Sequence, residues 1–197
     1  MSGEPNRSLL SRIVYTIRMA VRFRASLSRI LREATPERPW EISIQRLRSI
    51  GVKVVVLDFD GVLAPYGDDR PSTPMLGWLD RCIGQFGGAN VFILSNHPSP
   101  ARIAFFRERF ASVRWLTGFR PKPYPDGLER AISLGNVAPR EVLLVDDRLV
   151  TGALCACIAQ IGVCYVRRPI VALSKRTSRE LFFMTLRGME RLLLGLF

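Results

Sequence analysis

From Val52 onward, short apolar runs alternate with longer amphipathic ones. The runs fall at 52–58 (VKVVVLD), 90–95 (NVFILS), 112–116 (SVRWL), 141–146 (EVLLVD) and 162–166 (GVCYV). Short, continuous and rich in β-branched residues, they read as parallel strands covered on both faces. The intervening segments, near 74–86, 99–110, 124–134 and 150–160, read as helices, with Phe105, Phe106 and Phe110 as core at helical spacing. Repeated βα units require right-handed crossovers. The expected fold is therefore α/β, a three-layer, Rossmann-like, doubly wound parallel sheet.

The flanks have a different pattern. Over 8–32, Leu10, Val14, Ile17 and Val21 recur at spacings of four, three and four, with Arg18, Arg22, Arg29 and Arg32 on a neighbouring face. Such a helix either lies in a membrane interface or packs on its own domain and turns its arginines to water. Pro36 and Pro39 break the chain after it. A second basic and apolar helix is expected over 177–197. It holds Leu181, Phe182, Phe183, Leu186 and the run Leu192–Leu194, with Arg187 and Arg191 between. Its apolar residues cover the sheet edge or touch lipid. The organisation expected is an N-terminal basic helix over 1–35, a core over 36–170 and a helical extension over 171–197.

Composition narrows the class. A chain of 197 residues that is 48% apolar suits one domain with a packed core and excludes intrinsic disorder. It has no uninterrupted apolar run near the roughly 20 residues of a spanning helix, and no clean apolar block of a secretory signal. Cys82, Cys155, Cys157 and Cys164 form no CxxC pair and there is one histidine, which argues for free thiols rather than a zinc site. A net charge of +12 attracts phosphate-rich partners, an anionic membrane surface or nucleic acid, or reflects arginine-rich coding. With no aromatic-rich nucleic-acid motif, nucleic acid ranks below the membrane. No sequence feature indicates an oligomeric state.

In an open α/β sheet the ligand sits at the carboxyl ends of the strands. Those ends carry Asp58-Phe59-Asp60-Gly61, then Ser95-Asn96, then Lys122-Pro123 before a helix, then Asp146-Asp147. Aspartates at i and i+2 share one side of a continuing strand and repel, which a bound Mg²⁺ would offset. Asp58 is placed as a nucleophile forming an aspartyl phosphate, and Asp60 as the acid and base of the two half-reactions. Gly61 permits a sharp turn whose N–H groups hold phosphate oxygens, and Ser95 donates to another. Asn96 is a turn residue or a substrate contact. Lys122 offsets the charge of phosphate and nucleophile. Asp146 and Asp147 bring further carboxylates to the same edge, where Asp146 either contributes to the site or caps the next helix.

The ordered set VVVLDFDGVL, FILSN, KP and LLVDD resembles the four motifs of the haloacid dehalogenase-like hydrolases. About 34 residues separate Asp60 from Ser95 and about 26 separate Ser95 from Lys122, too few for an inserted cap domain. The spacing, the segment DDRLVTG and the tail after VRRPI resemble the subclass IIIA phosphatidylglycerophosphate phosphatases over residues 34–190. That resemblance implies Mg²⁺, motif residues Asp58, Asp60, Ser95, Lys122 and Asp147, and an open site acting on a membrane lipid at a cytoplasmic or matrix face. Two positions depart from that branch. Gly61-Val62 stand where it has Asn-Thr, and Gly152 stands where it has its last aspartate, while Asp146 replaces a neighbouring glycine. The alternatives are a soluble phosphatase of a sugar phosphate, nucleotide or phosphoprotein, and a non-catalytic fold binding RNA or an acidic partner.

Overall fold

In the computed structural model, which describes residues 9–34 and 38–195, five strands form one wholly parallel sheet in the order β3-β2-β1-β4-β5. The strands are β1 (Val54–Leu57), β2 (Val91–Ile93), β3 (Arg114–Trp115), β4 (Val142–Asp146) and β5 (Gly162–Tyr165). Each lies inside an apolar run read from the sequence. The runs are unbroken because both faces are covered. Val55, Leu57, Val91, Ile93 and Val145 face one core layer with Phe59, Trp78 and Phe106. Val54, Val56, Phe92, Val142 and Leu144 face the other with Leu128 and Cys155.

The crossover helices are α4 (Thr73–Phe86), α5 (Pro100–Arg109), α6 (Asp126–Gly135) and α7 (Leu154–Ala159). Ser99 caps α5 by accepting from the Arg102 N–H. A π-helical turn over Leu149–Ala153 precedes α7. Between β1 and β2 lie only a loop, α4 and a 3-10 turn; between β2 and β3 lies only α5. Neither gap holds an inserted domain. The sequence pattern gave no sign of the short α3 (Ile44–Ser49), which packs Ile44 and Leu47 into the core.

The expected single helix over 8–32 is two, α1 (Leu9–Arg22) and α2 (Arg24–Glu33), parted at Phe23 (φ −101°, ψ 14°). The break lets α2 bury Leu27 against Leu149, Leu154, Tyr165 and Leu194. Residue 8, Pro36 and residues 196–197 lie outside the described residues. The C-terminal helix, α8 (Leu173–Gly195), starts earlier than expected. It lies against α2, where the Ser28 hydroxyl donates to the Leu194 carbonyl at 2.6 Å.

Both flanking helices turn many of their apolar residues outward. On α8 the polar residues Glu180, Arg187 and Glu190 are buried, while Leu181, Phe182, Met184, Met189, Leu192 and Leu193 are exposed. On α1 no residue is buried, and Leu9, Leu10, Val14 and Ile17 are each more than half exposed. Among the described residues, no helix is long and apolar enough to cross a membrane.

Candidate active site

Strands β1 and β4 are neighbours at the centre of the sheet, and their crossovers leave in opposite directions. The crevice of a doubly wound sheet opens at that switch point. Asp58 follows β1 directly, Asp146 ends β4 and Asp147 comes next. All three are buried, and one carboxylate oxygen from each lies within 4.8 Å of the others.

Two cations face these three acids. Lys122 Nζ is 2.9 Å from Asp58 Oδ1 and 2.6 Å from Asp146 Oδ2. Arg187, from α8, donates to Asp147 Oδ2 at 2.6 Å. The five groups sum to one negative charge when all are ionised. Burial pushes the Asp58 carboxyl up to about 8, against the pull of Lys122 and with the push of Asp146 and Asp147. Burial likewise raises Asp147 to about 6, opposed by Arg187. Lys122 is held above its ordinary value: Asp146 and Asp58 together outweigh its own desolvation. The cluster therefore retains a proton or takes a cation.

A divalent cation fits this donor set. Asp147 Oδ1 is buried and has no hydrogen-bond partner, so Asp147 and Asp58 have oxygen to offer a hard cation. Asp146 is otherwise engaged. Its Oδ2 accepts from Lys122 and its Oδ1 from the Arg148 N–H at 2.9 Å, so it positions the lysine. The glycines explain how the acids crowd together. A Cβ at Gly152 would lie 1.9 Å from the Asp146 carboxyl carbon, and one at Gly61 (φ +84°) would lie 2.5 Å from Asp147 Oδ2. The space left at 152 is filled by the carboxyl of 146.

Asp60 is not in the acidic cluster. Its side chain turns to Arg102, whose Nη2 reaches Oδ1 at 2.7 Å and whose Nη1 reaches Oδ2 at 3.0 Å, while the Gly67 N–H also donates to Oδ1. Arg102 stacks on Phe59, its guanidinium carbon 4.1 Å from the ring centre. In this structure the Asp60 carboxylate is taken up by Arg102, while Asp58 groups with Asp146 and Asp147. Asp60 still lines the central cavity.

The other expected contacts take specific places. The Gly61 N–H donates to the Ala64 carbonyl at 2.7 Å, closing the turn. Ser95 is buried at the end of β2 and its hydroxyl accepts from the His97 N–H. Asn96 clamps the Lys122 peptide: its Oδ1 accepts from the Lys122 N–H at 2.8 Å and its Nδ2 donates to the Lys122 carbonyl at 3.3 Å. Asn96 lines a cavity of about 80 Å³ with Asp58, Lys122, Asp147, Phe183 and Arg187. That volume is well below the roughly 300–1,000 Å³ of pockets that enclose larger ligands, so it admits only a small group.

Phe183 and Arg187 come from α8, so the site has a wall from the C-terminal helix instead of lying bare. Phe183 stacks on Tyr66 at 3.8 Å between ring centres, and Glu180 accepts from the Tyr66 N–H. Glu190 is ion-paired with Arg148 and accepts from the Leu149 N–H at 2.9 Å. Sequence reasoning missed Arg102 and Arg187 as site residues. Their signal is a charge on a buried stripe: Arg102 precedes Phe106 and Phe110 at steps of four, and Arg187 precedes Glu190 and Leu194 at steps of three and four.

No family model and no curated protein matches the chain. Two solved structures resemble it. One is an uncharacterised protein from Corynebacterium glutamicum, 20% identical with a TM-score of 0.46, aligned over 70% of this chain and 96% of that one. The other is a HAD-superfamily hydrolase from Ehrlichia chaffeensis, 15% identical with a TM-score of 0.39, aligned over 69% of this chain and 98% of that one.

Proposed function

We propose that this chain is a Mg²⁺-dependent phosphatase of the haloacid dehalogenase-like type, with Asp58 as nucleophile. The observation that carries the reading is the meeting of Asp58, Asp146 and Asp147 at the sheet's switch point, with Lys122 on the first two and Arg187 on the third. Asp58 and Asp147 would hold the cation, which supplies positive charge to the substrate phosphate and the nucleophile. An Asp58 carboxylate oxygen bonds to phosphorus as the ester P–O bond breaks. Asp60, paired with Arg102 as a carboxylate in this structure, must first turn from the arginine and take up a proton from solvent, which it then gives to the leaving oxygen. Asp60 then takes a proton from a water that attacks the phosphorus, releasing inorganic phosphate and restoring Asp58. Lys122, fixed by Asp146 and the Asn96 clamp, stays charged throughout and lowers the cost of gathering negative charge.

The substrate class we favour is a lipid phosphate monoester, with phosphatidylglycerophosphate as the candidate and phospholipid synthesis as the role. Support comes from the outward apolar faces of α1 and α8 and the arginine-rich chain around them. Between these helices runs an apolar groove of about 700 Å³ lined by Ile17, Val21, Val150, Leu186, Met189 and Leu193. It shares α8 with the cavity. An acyl chain could lie there while its phosphate enters the site, with the protein held peripherally on an anionic surface.

Phosphate release from phosphatidylglycerophosphate in anionic vesicles tests both levels. Turnover should require Mg²⁺ and vanish in Asp58→Asn. Turnover of soluble sugar phosphates or nucleotides alone would remove the lipid reading. Turnover that survives Asp58→Asn would remove the mechanism. No turnover, with tight salt-sensitive RNA binding, would point to a non-catalytic fold instead.

A further inference from the structure

Two buried polar atoms in the cavity wall lack partners, and they belong to one ion pair. Arg187 Nη1 is bonded to Asp147 Oδ2, while Arg187 Nη2 and Asp147 Oδ1 have no hydrogen-bond partner. Both residues line the cavity that also reaches Asp58 and Lys122. Arg187 is 6% exposed and Asp147 1%, so bulk water does not readily satisfy either. Buried polar atoms without partners are rare, and each calls for an explanation such as a bound water, ion or ligand. The two atoms make opposite demands. The carboxylate oxygen calls for a cation, and the guanidinium nitrogen calls for an anionic oxygen beside it.

We infer that Arg187 is a substrate-binding residue that donates from Nη2 to an oxygen of the phosphate group. The inference rests on the phosphatase reading and extends it to a residue supplied from outside the strand ends. A planar guanidinium can keep one arm on Asp147 and give the other to the phosphate, which a lysine ammonium cannot do with fixed geometry. Arg187 is held for this task. Glu180, seven residues before it, anchors α8 to Tyr66, and Glu190, three residues after it, anchors α8 to Arg148 and Leu149. The polar inner stripe of α8 thus fixes where the guanidinium sits.

The test is calorimetric titration of inorganic phosphate into the full chain with saturating Mg²⁺, for wild type, Arg187→Lys and Arg187→Met. A lost charge-assisted hydrogen bond should weaken phosphate binding roughly tenfold or more in Arg187→Met. Arg187→Lys keeps the charge, is the more conservative variant for folding, and should lose several-fold. Mg²⁺ affinity, titrated without phosphate, should be at least that of wild type in both, because Asp147 is no longer shared with a guanidinium. Phosphate binding in Arg187→Lys within twofold of wild type would overturn the inference alone. So would a parallel loss of Mg²⁺ affinity, which would mean that Arg187 acts only by holding Asp147. Wild-type protein that binds no phosphate would bring down the phosphatase reading as well.

Discussion

Position 152 has no side chain, and the carboxyl of Asp146 fills the space where one would be. The two positions should be coupled. Gly152→Ala should cost about 2 kcal/mol in the native background through overpacking. In an Asp146→Gly background the same change should cost less than half of that, as read by a double-mutant cycle in urea. This reciprocity was partly visible in the sequence, where an extra aspartate at 146 accompanies a missing one at 152. What LLVDD could not show is that Asp146 faces Lys122 and the Arg148 N–H, with its oxygens spent on positioning. Asp60 was hidden in the same way, because its partner Arg102 lies 42 residues further on. The pair is buried on both sides. Arg102→Met leaves the Asp60 carboxylate with only the Gly67 N–H among its present donors and should destabilise the fold by about 3 kcal/mol. Thermal unfolding would show this as a clear drop in Tm.

At the scale of elements, the strands were legible because burial on both faces leaves each as an unbroken apolar run, a local signal. The flanking helices were less so. Their periodicity identified helix but not which face turns inward, since that depends on the neighbouring surface. On α8 the inward stripe carries Glu180, Arg187 and Glu190 together with Leu194, while Leu181, Phe182, Met184, Met189, Leu192 and Leu193 are left outside. The Phe23 break was also beyond a periodicity argument, because it is set by how α2 seats Leu27. The outward apolar face of α8 predicts a separation of effects. Phe182→Ser with Leu193→Ser should leave Tm nearly unchanged, as both are more than half exposed. The double variant should bind anionic vesicles more weakly in a flotation assay. Unchanged flotation would count against a lipid-facing α8.

For the molecule as a whole, the site is a concentration of charge inside a closed fold, three acids against Lys122 and Arg187. Asp58 and Asp147 are raised to about 8 and about 6 from an ordinary 3.8. Between those limits the folded state binds more protons than the unfolded state, so stability falls as pH rises. Without metal, the protein should be most stable on the acid side of this window, near pH 4 as far as these two groups decide it, and should weaken progressively toward pH 8. Mg²⁺ should restore stability most at the alkaline end and should release protons on binding near neutral pH. Denaturation in EDTA and in Mg²⁺ across that range would show two curves that diverge upward in pH; parallel curves would contradict the cation site. The wall that α8 builds also sets an order in time during synthesis. Asp58 emerges from the ribosome long before Arg187, with most of the sheet translated between them. If the chain is the phosphatase proposed above, a stalled nascent chain that exposes all five strands but not α8 should therefore hold Asp58 in place and still lack a full grip on phosphate. Catalytic competence should arrive late, when the final helix docks.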